Sequence, residues 1–561
     1  MRSKDEAFYF QAINLPPIGK GGGLRSGFLA GASSLLKTLF FFILGVMLVI
    51  ALGGCTSTPK NTSNPSAMTQ TSNPVLPANT TMPSGGSTPV AGFEDQSPAI
   101  LPAAQAELAL LPDLTRYDID LVIDSAAQTF SGQARVDVTN TEGQPLESLY
   151  FRLLPNGGQS YGNGSLTVSD TRVIGDTADT ILSLNNTLLE VKLPQVLQPG
   201  ERVQVEFDFQ GIVPLDFGGD ASPYAYGIYN KSEGVLALSG WYPILAVYDE
   251  GGWHLDPISP IGDSVFSEMA LYTVRVTMPS DLVFVSTGVE ISRESLGATT
   301  KYLLVSGPMR DFFMIASPDF QVVSQIVDGT RVNSYYFSED EYAGAVGLSV
   351  SAESLRVFNQ RFGKYPYIEL DMVQAPMRNA LGVEFPGIYL IGASLYDEPD
   401  TPDFAVTVAH EVAHQWWYSL VGNDVFAEPW LDEALSTYSS GIYYQDVLGD
   451  GAYSGLASYW QSRYDTLIQD GEDDVITRDL KYFESLGVPR VYSGVVYRKG
   501  ALFFKALREA IGDSAFFDAL QGYYLDNKYG VGNGDELLSA FEQASGQELD
   551  DLYNEWLYTS K

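Results

Sequence analysis

Short runs of alternating apolar and polar residues dominate the chain from about residue 104 to residue 328. Clear examples are 117–123, 134–139, 203–209 and 272–277, and Gly, Pro, Asn and Asp recur between these runs. Alternation with a period of two puts the apolar side chains on one face of a strand, and the intervening turn residues favour antiparallel neighbours. The pattern therefore predicts a largely antiparallel β-sheet domain over residues 104–328.

Helices and strands are mixed in the second half of the chain, residues 329–561. Helical spacing is present at 343–362, and strands are predicted at 367–373 and 388–391. Four further helical patterns fill 501–511, 514–525, 534–545 and 549–557. The predicted class is an α+β multidomain protein, in which the β-rich domain precedes a mixed α/β domain with a helical C-terminal part.

The first 103 residues have the pattern of a targeting segment and a tether. Basic residues precede an apolar run, Leu39 to Leu52, which is short for a membrane span and fits the core of a signal peptide. It ends in Leu52-Gly53-Gly54-Cys55, which resembles a bacterial lipoprotein cleavage site. We expect a signal peptide at 1–54, lipidation of Cys55, a Ser/Thr/Pro-rich disordered linker at 55–103, and an extracytoplasmic location on a bacterial envelope. The alternative is an uncleaved anchor with an incidental cysteine.

The net charge limits the classes of binding partner, and the cysteine content limits the possible disulfides. The net charge is -37, from 69 acidic and 32 basic residues, which argues against nucleic acid or an anionic membrane surface as a partner. The chain of 561 residues has one cysteine, so an intrachain disulfide is excluded. A length of this kind is enough for more than one domain.

One mostly apolar run, 404–420, contains the pentapeptide His410-Glu411-Val412-Ala413-His414. Thr401-Pro402 predicts the start of a helix over this run and Gly422-Asn423 predicts its end. Residues four apart lie on one helix face, so both imidazoles project to the same side and can share one zinc ion. The intervening glutamate, Glu411, projects beside them, where it can take a proton from a water molecule.

A third ligand is predicted from a second helix. Pro429 can open a helix, Glu433 lies in its first turns, and eighteen residues separate His414 from Glu433. The loop 421–428 would fold this helix back against the first. Two histidines and a carboxylate leave one position for water, as in a catalytic zinc site, whereas a structural site usually uses four ligands including cysteine. We therefore expect one zinc ion per chain, bound by His410, His414 and Glu433.

The segments His410–Trp417 and Glu428–Glu433 resemble the aminopeptidase N family of gluzincin metallopeptidases, including the spacing from the second histidine to the third ligand. The resemblance implies a saddle-like β domain followed by a thermolysin-like catalytic domain. It also implies a zinc-dependent aminopeptidase that hydrolyses N-terminal residues from peptides, with Glu411 as the catalytic acid/base.

Two further segments are similar to family motifs that contact substrate. Leu381–Gly387 aligns with the family's Gly-x-Met-Glu-Asn strand, so the resemblance implies that Glu384 binds the α-amine and that Gly382 contacts substrate. Leu381, Val383 and Phe385 depart from the usual glycine, methionine and asparagine. A buried amine needs a carboxylate partner, whereas the alternative for Glu384 is a solvated residue on an edge strand.

The segment Val491–Gly500 resembles the family's tyrosine segment. In it, Tyr497 matches the catalytic tyrosine, whose hydroxyl would stabilise the oxyanion of the transition state. Tyr492 is a second candidate at the same site. Gly240–Glu250 is similar to a segment that family members bring near the substrate pocket, and its alternative is an aromatic core strand and turn.

Two other functions remain open at this stage. The altered residues around Glu384 motivate a zinc endopeptidase of thermolysin-like type, which would also cleave N-terminally blocked peptides. A non-catalytic peptide-binding lipoprotein would keep the fold without activity. The expected partners are peptides and, through the lipid anchor, a membrane; nucleic acid is not expected, and the sequence leaves the oligomeric state open.

Overall fold

The computed structural model describes residues 96–221, 225–262 and 265–561. Its first large element is an eight-stranded sheet, in which neighbours are antiparallel except for one parallel pair, Thr115–Asp124 with Ala270–Pro279. The strands, in spatial order, are Val289–Ser295, Thr299–Val305, Ala270–Pro279, Thr115–Asp124, Thr129–Thr139, Arg202–Ile212, Ser165–Val173 and Asp176–Thr177. Its alternating side chains bury one face, as the period-two pattern predicts.

Smaller sheets complete the first half of the structure. One contains Val283–Ser286, Met314–Ser317, Val235–Leu238 and Tyr229–Ser232, another contains Ile244–Leu245, Leu146–Arg152, Leu188–Leu197 and Thr180–Ser183, and a hairpin pairs Tyr248–Asp249 with Gly252–Trp253. The predicted antiparallel β-rich region is confirmed. Within the Gly240–Glu250 segment, Trp241 and Tyr242 are fully buried and stack among other aromatic rings, so these two residues belong to the core.

A five-stranded mixed sheet supports the second half. Its strands, in spatial order, are Phe320–Val327, Thr330–Phe337, Glu369–Ala375, Ile388–Gly392 and Gly382–Phe385. The last of these is an edge strand, paired only with Ile388–Gly392 among the described residues. The sheet therefore leaves one side of the Gly382–Phe385 strand available to a neighbouring pocket.

Helices pack against this sheet and fill the rest of the second half, as the sequence predicts. They span Glu341–Arg361, Pro402–Ala413, Trp430–Tyr443, Asp450–Asp470, Leu480–Leu486, Pro489–Tyr492, Gly500–Ile511, Asp513–Asn527, Gly534–Ser545 and Asp550–Trp556, with π-helical turns at Tyr444–Leu448 and Ser493–Lys499. The catalytic-type domain with a helical C-terminal part is thus confirmed.

Two predicted boundaries differ from the structure. The boundary at residue 328 falls in a hairpin, because the Phe320–Val327 strand pairs with Thr330–Phe337 in the second-half sheet. The predicted linker, 55–103, extends too far, because Ala99 and Ile100 are buried and Ile100 forms a β-bridge with Tyr367. The second difference comes from burial against an element distant in sequence, which local pattern does not show, whereas the first is a local hairpin across Asp328-Gly329.

The predicted signal peptide 1–54, the lipidated Cys55 and most of the linker lie outside the described residues. Within the described ranges, every helix is too short or too polar to cross a lipid bilayer. Location and anchoring therefore stay predictions from the sequence.

The two halves share buried contacts. Phe313 of the first half stacks on Phe385 of the edge strand, with ring centroids 3.9 Å apart. Arg310 is buried and its guanidinium donates to three backbone carbonyls, at Tyr418, Ser267 and Gly530. Because two of these carbonyls belong to the second half, the Arg310 side chain joins the halves directly.

Candidate metal and peptide site

The first two predicted ligands lie at the end of the Pro402–Ala413 helix. This helix is shorter than the predicted run to residue 420, and His414 is its C-cap residue. The following residues turn through hydrogen bonds such as Val421 N to Trp416 O, and Tyr418 has a φ of 132°, a conformation that a helix does not allow. The spacing of His410 and His414 still places both imidazoles on one side, because His414 keeps helical dihedral angles.

The third predicted ligand meets them from the neighbouring helix, Trp430–Tyr443, whose N-cap is Pro429. His410 Nε2 and His414 Nε2 are 3.0 Å apart, and Glu433 Oε2 lies 3.2 Å from the first and 3.5 Å from the second. All three side chains are buried, and their ligand atoms lie within 4.8 Å of one another. The structure thus brings together the complete predicted ligand set.

These distances fit zinc. Ligand atoms at about 2.0–2.1 Å from a tetrahedral ion are separated by roughly 3.3 Å. His414 Nδ1 lies 3.0 Å from the Trp417 carbonyl oxygen, and His410 Nδ1 lies 3.5 Å from Thr437 Oγ1. Partners on Nδ1 leave the Nε2 atoms for a metal ion, as in many zinc sites.

Acidic side chains surround the ligands. The described pocket-lining residues include Glu384, Glu411 and Glu433 but no lysine or arginine. Burial, and then the neighbouring Glu384, raise the pKa of Glu411 well above its usual range. Burial alone would lower the pKa of His414, but Glu384, Glu433 and Glu411 outweigh burial and raise it well above its usual range. A buried cluster of this kind favours a bound cation, which would relieve the repulsion between carboxylates.

Glu411 itself is placed to work beside the ligands. Its side chain is buried, and Oε2 has no hydrogen-bond partner among the described residues. A Cβ on Gly382 would collide with the Glu411 carboxylate, so the glycine lets the edge strand approach this group closely. The structure therefore shows that the predicted residue Gly382 leaves the space that the Glu411 carboxylate occupies.

The predicted amine-binding residue, Glu384, enters the same pocket from the edge strand. It is 7% exposed, and its Oε1 lies 3.8 Å from His414 Nδ1. The alternative of a solvated edge-strand residue is excluded by this burial. Phe385, which stands where the family motif has asparagine, points away into the stack on Phe313 between the halves.

The two candidate tyrosines differ in position. Tyr497, on the π-helical turn Ser493–Lys499, lines the pocket and donates a hydrogen bond to Glu433 Oε1. Tyr492 is buried beneath it, with ring centroids 5.8 Å apart, and it is not among the residues lining the pocket. The Tyr492 ring packs edge-on against Tyr497, and its hydroxyl lies beside Gly262, which lines the pocket, so that its part in the site stays a prediction.

The first half of the chain also lines the pocket, through residues that the sequence does not single out. Tyr226 and Gly262 face the same cavity as the metal ligands, and the Tyr226 hydroxyl donates to the Pro260 carbonyl at 3.0 Å. One tyrosine among 33 carries no signal without tertiary contacts.

Fold and pocket together define the class of a two-domain metallopeptidase. Residues 346–556 match the model of the peptidase family M1 domain. This match and the relatives below support an aminopeptidase N-like zinc metallopeptidase, as the His-Glu-x-x-His segment indicates.

Known relatives agree with this assignment. The chain is 24% identical to Aminopeptidase M1 of Arabidopsis thaliana over 79% of this chain and 49% of the relative. It is 26% identical to Aminopeptidase M1-B of Oryza sativa subsp. japonica over 81% of this chain and 50% of the relative. The chain thus spans about half the length of these curated relatives.

Solved structures show the same fold. An M1 zinc metallopeptidase from Deinococcus radiodurans superposes with a TM-score of 0.59 at 21% identity, covering 79% of this chain and 94% of that one. A mutant of the Deinococcus protein has been solved with a bound Tyr-Ser-Ala substrate, with a TM-score of 0.58, 20% identity and coverage of 79% and 94%.

Proposed function

We propose that this chain is a zinc-dependent aminopeptidase that removes N-terminal residues from peptides. The observation that carries the proposal is the burial of Glu384 in the same pocket as the three metal ligands and Glu411. A carboxylate that is held out of water beside a hydrolytic centre is the expected partner of a protonated α-amine. The relatives named aminopeptidases support the same activity.

The residues of the pocket have distinct roles in this proposal. Zinc, when bound by His410, His414 and Glu433, would supply Lewis-acid polarisation. Glu411, with its free Oε2, accepts a proton from the attacking water and passes it to the leaving amine.

Two further side chains act on the substrate. The Tyr497 hydroxyl, now held by Glu433, is close enough to the ligands to donate to the oxyanion. Glu384 fixes the α-amine, which sets the first peptide bond against Glu411.

A matched pair of peptides tests the assignment. The full chain loaded with zinc should hydrolyse a short peptide with a free amine and leave its N-acetylated form intact. Glu384→Gln should lose this preference, because the amine loses its charged partner. Glu369→Gln is the control, since Glu369 lies in the same sheet, two strands from Glu384, and is not among the residues lining the pocket. Cleavage of both peptides would instead assign an endopeptidase, and cleavage of neither a binding protein.

We further propose that Cys55 is lipidated and holds the enzyme on the outer face of a bacterial membrane. The support is the apolar run that ends in Leu52-Gly53-Gly54-Cys55 and the Ser/Thr/Pro-rich stretch that follows. Cells that express the full chain should incorporate a labelled fatty acid into the protein and retain it in the membrane fraction. Cys55→Ser should abolish the label, and a label that persists in this variant would contradict the proposal.

A further inference from the structure

Gln415 carries a fully buried side-chain amide directly after the second histidine ligand, and two of the three hydrogen bonds of that amide are with the Glu384 hairpin. We define the Glu384 hairpin as the strands Gly382–Phe385 and Ile388–Gly392 with their Pro386-Gly387 turn. Gln415 Nε2 donates to the Phe385 carbonyl at 3.0 Å, and Gln415 Oε1 accepts from the Gly387 amide at 2.9 Å. The Tyr365 hydroxyl lies 3.5 Å from the same Oε1.

These contacts determine the orientation of the amide. The donor end meets a carbonyl and the acceptor end meets an N–H, so a flipped amide would lose both bonds. Gly387 has a φ of 76°, which suits the glycine of a Pro-Gly type II turn. Gln415 therefore binds the turn on both sides of Pro386, and one of its partners, Phe385, directly follows Glu384.

The first half of the chain holds the same turn from another direction. Thr287 Oγ1 donates to the Pro386 carbonyl at 2.9 Å and accepts from Phe313 N at 3.2 Å. Phe313 in turn stacks on Phe385. Thr287 and Phe313 thus fix the hairpin relative to the first half of the chain. Gln415 fixes it relative to the metal ligands.

We propose that Gln415 is a positioning residue that sets the distance between the amine-binding carboxylate of Glu384 and the metal site, and so the preference for substrates with a free N-terminus. Gln415 directly follows the ligand His414 in the chain, and its side-chain amide is hydrogen-bonded to Phe385, which directly follows Glu384. The Gln415 side chain therefore links the metal site to the amine-binding carboxylate. A shift of this hairpin by a fraction of an ångström moves the carboxylate away from the amine, which weakens a charge-assisted hydrogen bond. The inference rests on the proposed aminopeptidase function.

Binding measurements on the full, zinc-loaded chain test this inference apart from turnover. The parent is Glu411→Gln, so that the peptide is not consumed, and the probes are trialanine amide and its N-acetylated form. Gln415→Met keeps the size of the side chain but removes both bonds. We expect about a tenfold loss in affinity for the free-amine probe, the effect of one weakened charged hydrogen bond, and no change for the acetylated probe. Zinc content, measured by mass spectrometry, should stay at one per chain.

Gln374 provides the matched control. It is also fully buried, lies in the same sheet, accepts from Phe337 N at 2.8 Å and donates to Asp340 at 2.6 Å. Gln374→Met should therefore lower stability in a similar way but leave the preference for the free amine intact. In a Glu384→Gln background, Gln415→Met should have no further effect on that preference, because both changes act on one interaction.

The outcomes separate the two proposals. If the parent binds both probes equally, the aminopeptidase function fails and this inference fails with it. If the parent prefers the free amine and Gln415→Met keeps that full preference, only the positioning role is overturned. An equal loss of preference in Gln374→Met would also overturn it, because the effect would then follow from general destabilisation.

Discussion

Two buried charged sites in this molecule, the Arg310 side chain and the candidate pocket, are built in opposite ways. At the junction of the halves, Arg310 is 2% exposed, and each arm of its guanidinium meets a backbone carbonyl. In the pocket, Glu384, Glu411 and Glu433 crowd around two histidines without a lysine or arginine among the described lining residues. The first group satisfies its charge internally, and the second does not.

This difference indicates that the Arg310 junction stabilises the fold and that the pocket carries out chemistry. A buried guanidinium in which each nitrogen donates to a backbone carbonyl fixes the elements that carry those carbonyls. One of them belongs to Tyr418, whose φ of 132° is strained for a tyrosine. Burial and the neighbouring Glu384 raise the pKa of Glu411, and carboxylates that repel one another around a cavity in this way favour a bound cation. Substitutions in the pocket should therefore affect activity with little loss of folding, and substitutions at the junction should do the reverse.

Glu411→Gln is expected to give the largest effect on activity. The amide keeps the shape of the side chain but cannot accept the proton, so kcat should fall by about 10³-fold. Zinc content and the midpoint of urea unfolding should stay close to those of the parent, since the ligands are untouched. Loss of zinc in this variant would show that Glu411 is needed to maintain the metal site, and it would contradict the contrast between the pocket and the Arg310 junction.

Arg310→Met should lower the free energy of unfolding by about 3–5 kcal/mol, because it leaves the buried carbonyls of Tyr418 and Ser267 without a donor and removes one of the two donors to the Gly530 carbonyl. Urea unfolding monitored by tryptophan fluorescence measures the change. Zinc bound per folded chain should be unchanged, because the ligand spacing is set by the helix. Arg310→Lys should not restore stability, since a single ammonium cannot reproduce the planar fork.

Tyr497→Phe should reduce kcat by about 100-fold through loss of a donor to the oxyanion. Tyr492→Phe is the matched control, and it should change kcat by less than about threefold because Tyr492 does not line the pocket. Steady-state kinetics with a free-amine peptide measures both. Equal losses in the two variants would show that packing of the π-turn, rather than a pocket hydroxyl, controls the rate.

Asp311 should give the smallest effect, and it depends on pH. Burial raises the pKa of Asp311 to about 7, with Tyr418 donating a hydrogen bond to it at 3.3 Å. The folded state then holds the proton more tightly than the unfolded state, so this group's contribution to stability falls as pH rises from about 4 to about 7 and is not regained above it.

Between pH 6 and pH 8 the loss from Asp311 should be about 1 kcal/mol. Asp311→Asn should remove this part of the slope, as urea unfolding at the two pH values would measure. A parallel slope in the wild type and the variant would contradict the assignment.

Much of this architecture is local in origin, and the sequence predicts it for that reason. The C-terminal helices begin and end within two residues of their predicted limits, because helical periodicity and capping glycines are properties of short segments. Helix geometry likewise brings His410 and His414 together, and a proline-started second helix delivers Glu433. The chemistry of the ligands follows from residue type and spacing.

Tertiary structure alone decided the rest. The pocket wall from Tyr226 and the bridge from Ile100 to Tyr367 depend on contacts between residues distant in the chain. The bond from Gln415 to the Glu384 hairpin spans about 30 residues, and Arg310 reaches a carbonyl 220 residues away. Periodicity reports which face of an element is buried but carries no information on what buries it, so such contacts emerge only when the chain is folded.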